Sequence, residues 1–242
     1  MKHLAAISRR LFLAVTGAAI ASPSLLIAKD ENMVPSTLDH ILLGSSDLQH
    51  GIDFVEKHTG VRAAFGGVHP GRGTQNALLS LGERRYLEII APDPAQPGAK
   101  NSLAPELQNL REPRLVGWAA HPGALSTYAE RLRLAGIAIE GPTPGSRKRP
   151  DGHLLQWQIL GLAEDASGLL PFFIEWAPDS VHPSSDAPKG CSLTHFFAES
   201  PDLSQLTATL KLLNLDLPLQ KGDKARLLAT IRGPEGILEL SS

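Results

Sequence analysis

Residues 38–61 read LDHILLGSSDLQHGIDFVEKHTGV, and the fold follows from how this run divides. Leu38 to Gly44 is an apolar stretch of strand length. Asp47 then stands where a helix N-cap belongs, its short carboxylate able to accept from the free backbone N–H groups of a first turn. The helix predicted behind it runs from Leu48 to His58, with Ile52, Phe54 and Val55 among its apolar positions. Gly60 sits at the C′ place, where left-handed backbone ends helices, and Val61 opens a further strand. Two more strand-like runs follow, Gln75 to Leu81 and Arg85 to Ala91, before Pro92-Asp93-Pro94 stops the unit.

The same order returns twice. Leu115 to Ala120 reads as a strand, and Pro122 suits a first helical turn. Leu125, Tyr128, Leu132 and Leu134 then keep helical spacing up to Gly136. Ile137 to Glu140 is a strand, Gly141 to Gly152 a basic loop rich in Pro and Gly, and Leu154 to Gly161 and Pro171 to Ala177 the last two strands. In the third unit Leu193 to Ala198 is a strand, and Ser200-Pro201 begin a helix carrying Leu203, Leu206, Leu210 and Leu213. Asn214 takes the place of Gly60 and Gly136, since Asn tolerates left-handed backbone. Leu215 to Leu219, Ala225 to Ile231 and Ile237 to Leu240 complete it, with a hairpin turn at Gly233-Pro234-Glu235-Gly236. The expected fold class is therefore α+β, built from repeated βαβββ units. Each unit is too small to bury its own apolar sheet face. Two of them, at about 38–94 and 114–179, are expected to form one domain over 36–183 around a cleft, with the third unit at 190–242.

This organisation resembles the vicinal oxygen chelate superfamily. More closely, Leu38-Asp39-His40, the Gly66-Gly67…His69-Pro70-Gly71…Gly73-Thr74…Asn76-Ala77 segment and Tyr86-Leu87-Glu88-Ile89-Ile90-Ala91-Pro92-Asp93-Pro94 resemble the glyoxalase-like domain family. Pro171-Phe172-Phe173-Ile174-Glu175-Trp176 and His182-Pro183 fit it too. The resemblance implies metal ligands on the first and fourth strands of each unit, which here offer His40 and Glu88. An imidazole and a carboxylate suit Zn²⁺, Fe²⁺, Mn²⁺, Ni²⁺ or Co²⁺. In unit two, Glu175 matches Glu88, but the place of His40 falls near Gly117-Trp118, which carry no ligand. His69, opening the Gly-rich segment, and His195, whose surroundings match those of His40 as Glu239 matches Glu88, are the candidates for the missing position. His195 and Glu239 could complete the site, form another, or serve neither purpose. Glu88 or Glu175 could instead act as general base.

Substrate contacts are expected from Arg147 and Arg149 on the basic loop, whose guanidinium fork suits a carboxylate or phosphate. Asn76 and Trp157 join them, with Thr74 beside Asn76. Taken singly, each of these residue types is more commonly a surface or packing residue. Two functions follow from the resemblance. One is a metal-dependent lyase, isomerase or dioxygenase whose substrate chelates the divalent ion through adjacent oxygens. The other is a metal-free protein that sequesters a small molecule. The expected state is monomer or homodimer.

Composition narrows the partners. The 242 residues are 42% hydrophobic, enough for a substantial core, and the net charge is −2. That balance, more acidic still once the leader is removed, argues against nucleic acid, which demands a basic face. Cys191 is the single cysteine, so neither an intramolecular disulfide nor a thiolate metal site is available. Residues 1–30 form a leader. Ser8-Arg9-Arg10-Leu11-Phe12-Leu13 resembles a twin-arginine export signal, an apolar run continues to Ile20, and Ala19-Ile20-Ala21 is a small-x-small cleavage pattern. Export by the twin-arginine machinery to the periplasm is expected, with cleavage after Ala21. That removes Lys2, Arg9 and Arg10 and no acid, leaving 20 basic against 25 acidic residues.

Overall fold

The computed structural model describes residues 33–99, 103–163, 165 and 167–242. The leader, with its twin-arginine motif and the Ala21 cleavage site, lies outside them. The first unit runs β1 (Leu38–Gly44), α1 (Leu48–Thr59), β2 (Ala64–His69), β3 (Thr74–Ser80) and β4 (Tyr86–Pro92). Local chemistry sets α1 as the sequence predicts: the Asp47 side chain accepts from His50 N at 2.9 Å, and Gly60 closes the helix at φ 76°. Leu48, Ile52 and Val55 form its buried stripe. A short helix, α2 (Ala104–Gln108), lies in the connection. The second unit is β5 (Arg114–Ala120), α3 (Leu125–Leu134), β6 (Ile139–Lys148), β7 (Leu154–Leu162) and β8 (Phe172–Trp176).

These eight strands make one sheet in the order β2-β3-β4-β1-β5-β8-β7-β6. Each half pairs its first and fourth strands in parallel, β1 with β4 and β5 with β8, and the halves join through antiparallel β1 and β5. β1 and β4 are buried along their whole length because both their faces are covered. Leu87, Ile89 and Ala91 face the main core under the helices, whereas Tyr86, Glu88 and Ile90 face the cleft. The sheet curls until its two edges, β2 and β6, lie against each other.

Two sequence expectations change here. The basic segment predicted as a loop is mostly strand: β6 continues through Pro142 and Pro144 to Lys148 and pairs with β7 on both sides of a register shift between Glu140 and Thr143. The prolines are tolerated because β6 is an edge strand, where missing donors break no ladder. Pro122 lies ahead of α3 rather than in its first turn.

The third segment comprises β9 (Ser192–Ser200), α4 (Leu203–Leu213), β10 (Leu219–Lys221), β11 (Arg226–Arg232) and β12 (Ile237–Ser241). Asp202, not Ser200, is the N-cap of α4, accepting from Gln205 N, and Asn214 ends it at φ 54°. The element order repeats that of the first two units, but the pairing does not. The sheet runs β10-β9-β11-β12, so the first strand sits inside and pairs in parallel with the second strand rather than the fourth. This sheet packs on the outer, helix-bearing side of the large one. Phe196 meets Trp118 edge-on at 5.5 Å between centroids, and Glu235 N donates to Thr59 O at the end of α1. One continuous core joins all three segments.

Candidate active site

The concave face of the large sheet encloses a cavity of about 340 Å³. One wall is polar and comes from the first half: His40 on β1, Glu88 on β4, Asn76 and Thr74 on β3, and His69 at the end of β2. The other wall is apolar and comes from the second half: Trp157 and Ile159 on β7, and Phe172, Ile174 and Trp176 on β8. Arg147 reaches in from β6 and Arg72 from the turn before β3.

Glu88 stands at the centre of the polar wall. Its Oε2 lies 3.4 Å from His40 Nε2, and its Oε1 lies 3.5 Å from His69 Nε2. Asn76 Nδ2 donates to Oε1 at 2.7 Å. The far nitrogen of each imidazole is anchored, that of His40 by Asp39 Oδ1 at 2.8 Å and that of His69 by Thr74 Oγ1 at 2.9 Å. An ionised Asp39 can only accept, so Nδ1 of His40 carries a proton and the Nε2 edge is the one turned to the cleft. Tyr86 stacks on the His40 ring, with centroids 4.5 Å apart.

Asp39 is fully buried behind this wall and receives three groups. His40 is one. His182 Nε2 lies 3.2 Å from Oδ2, and Trp176 Nε1 donates to it at 3.1 Å. Ser184 N donates to His182 Nδ1, which leaves Nε2 as the protonated nitrogen facing Asp39. Burial alone would raise the Asp39 carboxyl, but its bonds to His182 and His40 outweigh that and hold it well below the usual carboxylate range. Glu88 follows the same logic. Burial raises it, whereas the fields of His69 and His40, the Asn76 amide and the Arg147 charge together bring it below its ordinary value. Burial pushes the His69 imidazole down, against the pull of Glu88.

The structure thus brings together His40, His69, Asn76, Glu88, Arg147 and Trp157 from the set predicted by sequence. It does not bring Glu175 or Arg149. Glu175 lies on the opposite face of β8 from Ile174 and Trp176, and its Oε2 accepts from Leu125 N at 2.8 Å, at the start of α3. It supplies the cap that Ala124 cannot. Arg149 falls beyond the end of β6 and pairs with Asp186 and Asp151 outside the cleft. His195 and Glu239 belong to the third segment's sheet, both in register with Thr230 and away from the cavity. Asp39 and His182 appear in the sequence motifs, but nothing in the spacing of residues 39 and 182 signals that they meet.

Two imidazoles and a carboxylate, with the far ring nitrogens anchored, fit a divalent ion in donor chemistry. As placed, the three lean on one another, and among the described residues no group of three or more His, Cys, Asp or Glu is arranged to hold an ion. The second half adds no ligand, since its cleft positions on β8 are Phe172, Ile174 and Trp176.

Paired βαβββ halves curled around a cleft define the vicinal oxygen chelate class of fold. Within it, a family model described as glyoxalase-like domain matches residues 38–213, and the chain belongs to that family. A search of curated proteins finds no match. Among solved structures, a hypothetical protein from Staphylococcus aureus is 18% identical, with 84% of each chain covered and a TM-score of 0.60. A methylmalonyl-CoA epimerase from Mycobacterium tuberculosis is 23% identical over 60% of this chain and 90% of its own, with a TM-score of 0.45. A Streptomyces coelicolor methylmalonyl-CoA epimerase in complex with 2-nitronate-propionyl-CoA is 17% identical over 58% and 97%, with a TM-score of 0.43. The first of these shares the fold.

Proposed function

We propose that the protein is an exported, metal-dependent enzyme, a lyase, isomerase or dioxygenase whose small-molecule substrate binds through adjacent oxygens. One observation carries this reading: two anchored imidazoles, His40 and His69, converge on the two oxygens of a single buried carboxylate, Glu88. His40, His69 and Glu88 are the residues that would hold the ion. When bound, a divalent ion supplies Lewis-acid stabilisation of negative charge developing on substrate oxygen. The chain's own contributions are definite. Asp39 and Thr74 fix the two ring orientations, and Asn76 fixes the Glu88 carboxylate. The fields of His69 and His40 and the Asn76 amide keep the Glu88 carboxylate ionised against its burial, so while those contacts hold it is a base able to take a proton from a carbon beside a bound oxygen. The apolar wall of β7 and β8 excludes water around the reacting atoms.

Support for export to the periplasm is the leader sequence around Arg9-Arg10, which resembles a twin-arginine signal. Arg9→Lys combined with Arg10→Lys is expected to retain the protein in the cytoplasm, read by fractionation; unchanged export rejects this route.

A second reading, a metal-free binding protein, is favoured by the arrangement of the three side chains, which lean on each other without converging on a common point. Metal analysis separates the two. Protein purified from its own host without chelator is expected to carry a stoichiometric divalent ion, and His40→Ala or Glu88→Ala to lose most of it while keeping the wild-type circular dichroism spectrum. Wild-type protein that holds no metal and gains none on titration with Zn²⁺, Mn²⁺, Fe²⁺, Ni²⁺ or Co²⁺ makes the binding-protein reading the correct one.

A further inference from the structure

Arg147 is 3% exposed, and its Nη1 is completely buried without a hydrogen-bond partner. Among the described residues no carboxylate comes within salt-bridge distance of it. A guanidinium stays charged under all conditions in which the protein is folded, so this is a buried cation with no carboxylate in contact, compensated only by the more distant fields of Glu88 and Asp186. Its neighbour Arg149, two residues on, shows the contrast, since two aspartates neutralise it. Arg147 lines the cavity, and it is not free to swing away. β2 crosses it at Gly67, where a Cβ would come within 3.1 Å of both Cγ and Cδ of Arg147 and 2.9 Å of Lys148 O. The bare backbone of β2 presses the guanidinium stem into place, so the fork is preorganised.

We propose that the natural ligand of this cleft is a small monocarboxylate with a flat apolar body, its carboxylate held by Arg147 and its body lying against Trp157, Trp176 and Phe172. The proposal rests on the reading of the cleft as a small-molecule site and names its ligand class. A carboxylate matches the planar fork and supplies the contacting, hydrogen-bonded anion that Arg147 lacks. Phosphate, with its second charge, is disfavoured because Glu88 already holds a negative charge in the same cavity. The body follows from the opposite wall, where Trp157 and Trp176 stand 5.5 Å apart at a tilt and no side chain of β8 facing the cleft carries a charge. The volume, about 340 Å³, is at the low end of small-ligand cavities, which suits a single ring better than a long chain.

The test uses three probes with the same phenyl body, benzoate, benzamide and phenylphosphonate, followed by tryptophan fluorescence. Trp157 and Trp176 line the cleft, while Trp118 is sealed in the core and reports little. Wild-type protein is expected to bind benzoate saturably and at least tenfold more tightly than benzamide or phenylphosphonate. Arg147→Gln is expected to bring benzoate down to the benzamide level and leave benzamide unchanged, with Arg147→Lys in between. Equal binding of benzoate and benzamide, absence of saturable benzoate binding, tighter binding of phenylphosphonate, or an Arg147→Gln variant with wild-type benzoate affinity would each overturn the proposal. The wild-type comparison needs no variant, so it holds even if Arg147→Gln fails to fold. All three probes are measured before and after treatment with EDTA, because the Arg147 contact requires no metal. Protein that takes up zinc but ignores benzoate loses this inference and keeps the proposed function; protein that discriminates benzoate but never takes up metal does the reverse.

Discussion

Asp39 carries more of the site's geometry than its place in the sequence suggests. It joins His40 on β1, Trp176 on β8 and His182 on the segment beyond β8, so both halves of the sheet and the exit of the second half meet at one carboxylate. Asp39→Asn is expected to cost about 3 kcal/mol at pH 7, the scale for removing one partner of a buried ionic group, as read by urea unfolding. The pH dependence has a definite sign. The folded carboxyl is held below its unfolded value of about 3.9, so its contribution is fully present above that value and declines as pH falls below it towards the folded value. The gap between wild type and Asp39→Asn should therefore narrow between pH 5 and pH 2; a gap that widens on acidification contradicts the assignment. At this scale the sequence was legible wherever a strand's period and a motif agreed, as for His40, Asn76 and Glu88. It misled at Glu175. Matching Tyr86-Leu87-Glu88-Ile89 to Phe173-Ile174-Glu175-Trp176 sets the two runs one residue out of step in facing, and one residue turns a strand's side chains to the other side.

The elements show where pattern stops short of pairing. α1 could be read to its caps because Asp47 and Gly60 are local devices. α3 could not, because its cap is supplied from β8, 50 residues away, by Glu175. Glu175→Ala should cost about 1 kcal/mol, the usual worth of an N-terminal cap, and leave metal uptake and benzoate binding unchanged. A loss of metal in that variant would return Glu175 to the site. β6 was hidden by its Pro142, Pro144, Gly141 and Gly145, which read as loop punctuation but are compatible with an edge. This misreading had a chemical consequence: Arg147 on a loop would be solvated, whereas Arg147 on a strand that closes against β2 is buried. The third segment keeps the order of the other two, yet order alone does not say whether a first strand pairs with the second or the fourth, and here it pairs with the second.

For the molecule as a whole, the third segment covers the back of the sheet that carries the site. Phe196 is fully buried against Trp118, and Ile231 and Leu238 share the core with β5. Phe196→Ala is expected to lower stability by about 3–5 kcal/mol without altering benzoate affinity, measured by denaturant unfolding and fluorescence titration. Deleting residues 190–242 would bare Trp118 and the apolar stripes of α1 and α3, and aggregation is expected; a soluble truncated monomer would show the segment to be dispensable. The division of the cleft between the two halves has a further consequence, for how such a protein can change over generations. The first half holds the titratable cluster, while the second half supplies Trp157, Ile159, Phe172 and Ile174. Drift in the second half can reshape what is admitted while the reacting groups stay untouched. A lineage that duplicated one such half could keep an old chemistry in one copy and explore new diets with the other.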